Sequence, residues 1–298
     1  MAVTAHVDDI ISVHDLSYVY KGQAKPAVNG VSFAVRRGEI FGLLGPSGAG
    51  KSTTQKVLTR QQRGFGGQVA IMGKPLDAWG SDYFERIGVG FELPNHYLKF
   101  TARENLDFFA SLYARPSRSP AEMLALVGLE DYLDKRVETF SKGMRMRLNF
   151  VRALQHDPEL IFLDEPTAGL DPVNAGIVKS LVADLARAGK TVVLTTHNMN
   201  DVDQLCDRIS FMVDGRFAAL DTPQALKSAH GRRMVAVGTA DAQTAEFPLD
   251  GLGDDPGFLA LLRSGAVERI HSQEASLDKV FTNVTGHRLD QTEPVAAQ

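Results

Sequence analysis

Eight consecutive residues narrow the possible folds more than any others in the chain. Gly45-Pro46-Ser47-Gly48-Ala49-Gly50-Lys51-Ser52 fits the pattern G-x-x-x-x-G-K-[ST] at every fixed position. The run before it, Glu39-Ile40-Phe41-Gly42-Leu43-Leu44, is nearly all apolar, as a strand buried on both faces must be. The run after it, Lys51 to Leu58, reads as a helix. A strand, a glycine-rich turn and a helix in that order gather backbone N–H groups and the positive end of a helix around an anion. Gly45, Gly48 and Gly50 let the backbone curl, with Pro46, Ser47 and Ala49 completing the loop. Lys51 can then reach the outer phosphates of a nucleotide. The Ser52 hydroxyl is a hard oxygen ligand for Mg²⁺, and Thr53 stands where a donor to the innermost phosphate is needed. The competing reading, an ordinary glycine-rich turn, does not account for a full match in this setting.

The matching carboxylates lie far along the chain. Leu160-Ile161-Phe162-Leu163 runs straight into Asp164-Glu165. Ligands of open α/β sheets bind beyond the carboxyl ends of the strands, so both acids should fall beside the phosphate loop. Asp164 is the expected Mg²⁺ ligand and Glu165 the expected general base for an attacking water. An acidic N-cap pair is the alternative, plausible for either acid alone. A third apolar strand, Thr191 to Thr196, ends at His197, which the same rule brings to the γ-phosphate or the water.

Around these landmarks the chain alternates strand and helix, which implies a parallel sheet. Residues 10–37 read as two or three antiparallel strands and 67–73 as another. Residues 102–156 read as an inserted helical segment with a break at Arg115–Pro120. Val173–Ala188 and Met199–Cys206 are expected helices, and Arg208–Gly215 a strand entering a hairpin at Asp214-Gly215. After about residue 230 the texture changes to Gly, Asp and Ala with weak strand signals. Helices are expected at Gly257–Ser264 and Ser276–Thr285. Residues 231–290 are read as a small α+β accessory domain and 291–298 as disordered.

Composition excludes several classes. Of 298 residues, 44% are apolar and 23% charged, which rules out a disordered chain or a coiled-coil rod. A net charge of −4 does not suit a broad nucleic-acid-binding face. The single cysteine, Cys206, excludes an internal disulfide framework and a multi-thiolate zinc site, and suits a cytosolic chain. The N-terminus lacks a signal-peptide pattern, and no apolar run approaches membrane-spanning length.

With the phosphate loop, Phe140-Ser141-Lys142-Gly143-Met144, Leu163-Asp164-Glu165-Pro166-Thr167, Ala168-Gly169-Leu170-Asp171 and Thr196-His197 in that order, residues 10–230 resemble the ATP-binding cassette of an ABC transporter. The resemblance implies a P-loop NTPase core with an antiparallel β subdomain and an inserted helical subdomain. It implies ATP and Mg²⁺ as cofactors and catalytic roles for Lys51, Glu165 and His197. It implies, too, a homodimer or heterodimer in which ATP lies between the phosphate loop of one subunit and Ser141, Lys142 and Gly143 of the other. Asp171 joins the contacts across the dimer, Tyr20 stacks on adenine, and Val28 flanks the base. A half-buried strand tyrosine is the alternative for Tyr20, since Tyr18 lies two residues away on the same face. A transmembrane permease is the implied working partner, placing the chain at the cytoplasmic face of the membrane, with no nucleic acid involved.

Two positions depart from the family pattern. Glu92 stands where a Mg²⁺-ligating glutamine is usual, and a carboxylate can still ligate the ion. The signature reads Phe-Ser-Lys-Gly-Met, so Lys142 adds a positive charge. These opposite departures suggest a compensating Glu92–Lys142 pair across the dimer; a solvent-facing Lys142 is the alternative. Pro94, Tyr97 and Phe100 either anchor a docked permease helix or pack inward on the insert. The run Ala275-Ser276-Leu277-Asp278-Lys279-Val280-Phe281, then Val284-Thr285-Gly286, resembles the C-terminal segment of the drug- and antibiotic-export branch. Export of such a substrate is therefore expected. The rival is a soluble ABC-type ATPase with a non-transport role on ribosomes or DNA. Leu277, Val280, Phe281 and Val284 share one helix face, to be buried in the accessory domain or against the ATPase core.

Overall fold

The computed structural model describes residues 8–230, 234–239, 244–273 and 275–287. The chain opens with β1 (Asp9–Tyr18), β2 (Val28–Arg36) and β3 (Ile40–Leu44), followed by α1 (Lys51–Leu58). Next come β4 (Gly66–Ile71), β5 (Lys74–Pro75) and β6 (Ile87–Gly90). The helical insert supplies α2 (Ala102–Ala110), α3 (Pro120–Ala125) and α4 (Lys142–Leu154). The second α/β stretch is β7 (Leu160–Asp164), α5 (Pro172–Arg187), β8 (Thr191–Thr196), α6 (Met199–Leu205), β9 (Arg208–Val213), β10 (Arg216–Asp221) and α7 (Pro223–His230). The chain then makes β11 (Met234–Thr239), β12 (Thr244–Pro248), α8 (Pro256–Arg263), β13 (Val267–Gln273) and α9 (Leu277–Thr285).

The main sheet has the order β10-β9-β3-β8-β7-β6, parallel throughout except for the hairpin strand β10. Its strands are apolar on both sides because both faces are covered. Ile40, Leu44, Ile161, Leu163, Val192 and Leu194 face one core, shared with the insert helices and α9. Phe41, Leu43, Leu160, Phe162 and Val193 face a second core, roofed by the antiparallel sheet β2-β1-β4-β5. The insert helices start where their sequence says they should: Thr101 with Glu104, and Ser119 with Glu122, form capping boxes.

Residues 10–37 contain two strands, the smaller of the expected numbers. β13 and α7 were not anticipated. The third sheet, β12-β11-β13, encloses a minor cluster of Val235, Val237 and Phe258. The helix α9 does not join it. Leu277, Val280 and Phe281 are buried in the first core, and the Phe281 ring meets Phe211 of β9 edge-on at 5.2 Å. The open choice for this helix face thus resolves toward the ATPase core. The expected disorder of 291–298 falls outside the described residues.

Candidate functional site

Parallel pairing sets the site. Leu44 of β3 aligns with Thr196 of β8, Leu163 of β7 with Leu194, and Gly90 of β6 with Leu163, so four strands end at one edge. The loops leaving those ends carry Gly45, Glu92, Glu165 and His197. Glu92, Glu165 and His197 line a cleft of about 330 Å³ together with Ser47, Gly48, Ala49, Gly50, Lys51, Ser52, Thr53, Asp164 and Ala168.

The loop geometry explains two of its glycines. A Cβ on Gly50, at φ 107°, would come within 2.3 Å of the Ala27 carbonyl. Gly48 has open space around it, and its requirement is the left-handed φ of 79°. Lys51 is buried and folds back on its own loop, donating to the carbonyls of Gly45 (2.7 Å) and Pro46 (3.0 Å). Burial pulls its ammonium below the usual lysine range, against the opposing pull of Glu165, Asp164 and Glu92.

Asp164 accepts from the Thr195 hydroxyl and lies 3.5 Å from the Ser52 hydroxyl. Glu165 turns away from the strand at φ 48°, a left-handed backbone that is uncommon for such a residue. That turn sends its carboxylate to β8 and beyond: Oε2 accepts from the Thr196 hydroxyl at 3.0 Å, and Oε1 from the His197 amide at 3.1 Å. The His197 ring Nδ1 is 2.7 Å from the same Oε1. A carboxylate only accepts, so Nδ1 carries the proton and Nε2 is left as the acceptor nitrogen of the ring. Glu165 is nearly enclosed and His197 is exposed, at 12% and 64% of their side chains. Thr195 and Thr196 were missed in the sequence reading. Their signal was available, since two hydroxyls closing an apolar strand beside a carboxylate pair have few other partners.

No group of three or more His, Cys, Asp or Glu side chains among the described residues could cage a metal ion. The available donors, Ser52, Asp164 and Glu92, are all hard oxygens bordering the phosphate loop. That set suits Mg²⁺, which favours few protein ligands and completes its shell with phosphate and water.

The remaining expected residues divide. The half-buried Tyr20 stands beside the cleft, its hydroxyl 3.1 Å from that of Thr53 and its ring edge-on to the buried Tyr18. Val28 is fully buried in the core behind the loop and is not among the cleft-lining residues. Ser141, Lys142, Gly143 and Asp171 are likewise not among the residues lining their own chain's cleft. Ser141 caps α4, accepting from the Met144 amide at 3.2 Å. Asp171 caps α5, accepting from the amides of Val173 and Asn174, and those bonds hold its carboxyl below the usual range. The Lys142 side chain runs over Gly169, so closely that a Cβ there would lie 2.8 Å from Nζ.

The Glu92 loop is gripped by α4: Asn149 donates to the Phe91 carbonyl and Arg152 to that of Asn95, each at 2.7 Å. Beyond it, Tyr97 stacks on Phe100 at 5.2 Å and meets Phe108 edge-on at 4.9 Å, while all three stay exposed. The aromatics therefore pack on the insert and still present a surface.

Known proteins resemble the chain over nearly its full length. Residues 28–168 match the family profile described as ABC transporter, and 234–274 match that of the fluoroquinolone efflux ABC transporter C-terminal domain. The fluoroquinolones export ATP-binding protein of Mycobacterium tuberculosis is 56% identical over 94% of this chain and 95% of its own. The Nod factor export ATP-binding protein I of a Rhizobium species is 35% identical over 89% of this chain and 94% of its own. A solved dimeric post-hydrolysis ATP-binding cassette bound to ADP and Pi superposes with a TM-score of 0.66 at 26% identity, covering 71% of this chain and 98% of that one.

Proposed function

The chain belongs to the ABC transporter family of ATP-binding subunits, and on that premise we propose that it hydrolyses ATP in a shared two-subunit site to power export of a fluoroquinolone-like drug through a separate permease. It is an ATPase subunit of an export system; the ribosome- or DNA-associated alternative is not favoured by relatives named for export. The observation that carries the chemistry is the convergence of Lys51, Asp164 and the 2.7 Å Glu165–His197 pair on one cleft.

Each residue has a physical task. Lys51 leaves the carbonyls of Gly45 and Pro46 to meet the outer phosphates, exchanging two neutral acceptors for anionic ones. Ser52, Asp164 and Glu92 would hold Mg²⁺, which supplies charge neutralisation at the transferring phosphoryl group. Glu165, oriented by Thr196 and the His197 amide, accepts the proton of the attacking water. His197 presents Nε2 to the γ-phosphate. Most of the rate gain comes from positioning and charge, since phosphoryl transfer asks little covalent work of the protein.

Ser141, Gly143 and Asp171 serve the opposing subunit, which is why they lie outside their own chain's cleft. The amide-rich start of α4 then meets the γ-phosphate from the far side. The exposed Tyr97, Phe100 and Phe108 surface takes the permease helix. No helix among the described residues is long and apolar enough to cross a membrane, so the permease supplies the span.

The test uses the purified chain. Glu165→Gln is expected to lose turnover by about a hundredfold or more while still binding ATP. Size-exclusion chromatography with light scattering should show it dimeric with Mg-ATP and monomeric without. Full turnover in Glu165→Gln, or full turnover by a strict monomer, would overturn the proposal. For the cargo, co-expression with a partner permease should lower fluoroquinolone accumulation in wild type and not in Glu165→Gln.

A further inference from the structure

Three side chains from three elements meet behind the catalytic edge. Thr167 lies in the turn after Glu165, where the Ala168 amide bonds the Glu165 carbonyl and the Leu170 amide bonds that of Thr167, each at 3.1 Å. Asp201 lies in the first turn of α6, just past His197, and is only 7% exposed. Lys179 lies on α5, the helix that Asp171 caps. The Thr167 hydroxyl donates to Oδ2 of Asp201. The Lys179 ammonium is 3.2 Å from Oδ1 of Asp201 and 2.7 Å from the Gln204 side-chain oxygen. Both carboxylate oxygens are engaged, and Asp201 does not line the cleft.

We propose that Asp201 is a positioning residue for ATP hydrolysis, holding the turn that aims Glu165 in register with the helix that follows His197. The inference rests on the roles given above to Glu165 and His197. Glu165 sits at a left-handed φ of 48°, a conformation that persists only where the surroundings over-determine it. One set of restraints is the carboxylate's own bonds to the Thr196 hydroxyl and to the His197 amide and ring, on the cleft side. The Thr167–Asp201 bond is the second, on the buried side. Two attachment points stop the turn from pivoting about the first, and misplacement of a general base by about 1 Å is enough to cost a hundredfold in rate. Lys179 neutralises a carboxylate that would otherwise repel nucleotide phosphates from behind. An aspartate serving only the start of α6 would need neither Thr167 nor Lys179.

The experiment measures steady-state ATPase against ATP concentration for the full chain carrying Thr167→Val, Thr167→Ser or Asp201→Asn, with melting curves for each. Thr167→Val keeps the shape and removes the donor. Thr167→Val and Asp201→Asn are each expected to lower kcat about tenfold, with KM for ATP changed less than about twofold. Thr167→Ser should keep at least half of kcat. The double variant should fall no further than the weaker single one, because both break one bond. Undiminished kcat in Thr167→Val, or losses that lie in KM or in the folded fraction, would overturn the inference. If Glu165→Gln itself keeps turning over, the underlying reading fails instead; if it is dead while Thr167→Val is unimpaired, only the positioning role falls.

Discussion

His96 sits between the Glu92 loop and α4, with Nε2 3.0 Å from the Arg145 carbonyl and Nδ1 buried without a partner among the described residues. Burial pushes its pKa down to about 4, with the Arg152 and Arg145 charges adding to the effect and the bond to the Arg145 carbonyl opposing it. Folded, the ring stays neutral until about pH 4; unfolded, it protonates near about 6.5. Its contribution to stability is therefore complete above about pH 6.5 and drains away as pH falls to about 4. Between about pH 7.5 and about pH 5 the loss from this residue should be about 2 kcal/mol. His156, also lowered by burial, steepens the same limb. Urea unfolding of His96→Gln at both pH values should show a loss smaller than wild type by that amount, and identical losses would count against it. A second expectation concerns Glu92 and Lys142. If they compensate across the dimer, Lys142→Gly should harm ATPase activity less in a Glu92→Gln background, and strict additivity in the cycle would remove the pairing. Most of the cleft was legible from sequence because parallel strands put their following residues on one edge. Asp164, Glu165 and His197 were placed by that rule, and Lys51 by the phosphate-loop pattern itself. The Lys142–Gly169 approach was not legible, since it depends on how α4 lies against the turn before α5.

At the level of elements, α9 was expected as a helix, with its packing partner left open between two choices. Its apolar stripe could be read from the spacing of Leu277, Val280, Phe281 and Val284, but amphipathicity says only that a face is buried and not against what. The core of the main sheet supplies the answer, with Phe281 fully enclosed against Phe211. Phe281→Ala should cost about 3–5 kcal/mol, measured by denaturant unfolding followed through the ATPase core. A loss under about 1 kcal/mol would mean that the helix is peripheral. β13 escaped the sequence reading for the opposite reason. Val-Glu-Arg-Ile-His-Ser-Gln has no clean alternation, and Glu268, Arg269, Ile270, His271 and Ser272 are all exposed, so it is held as a strand by pairing with β11 and not by a buried face.

For the molecule as a whole, the C-terminal residues serve two cores. Val235, Val237 and Phe258 form their own small cluster, whereas α9 completes the large one. Ending the chain after His230 should therefore expose the Phe211 face and give an aggregation-prone, weakly folded ATPase, read by light scattering and far-UV melting. Phe258→Ala should loosen only the small sheet and leave ATP turnover near wild type; equal damage from both changes would contradict the division. The same arrangement has a consequence for synthesis. On a translating ribosome, β9 emerges roughly several seconds before α9. During that interval the Phe211 face lacks the cover that α9 gives it. The large core is thus the last part of the chain to be closed, and a product stopped before α9 leaves its Phe211 side open.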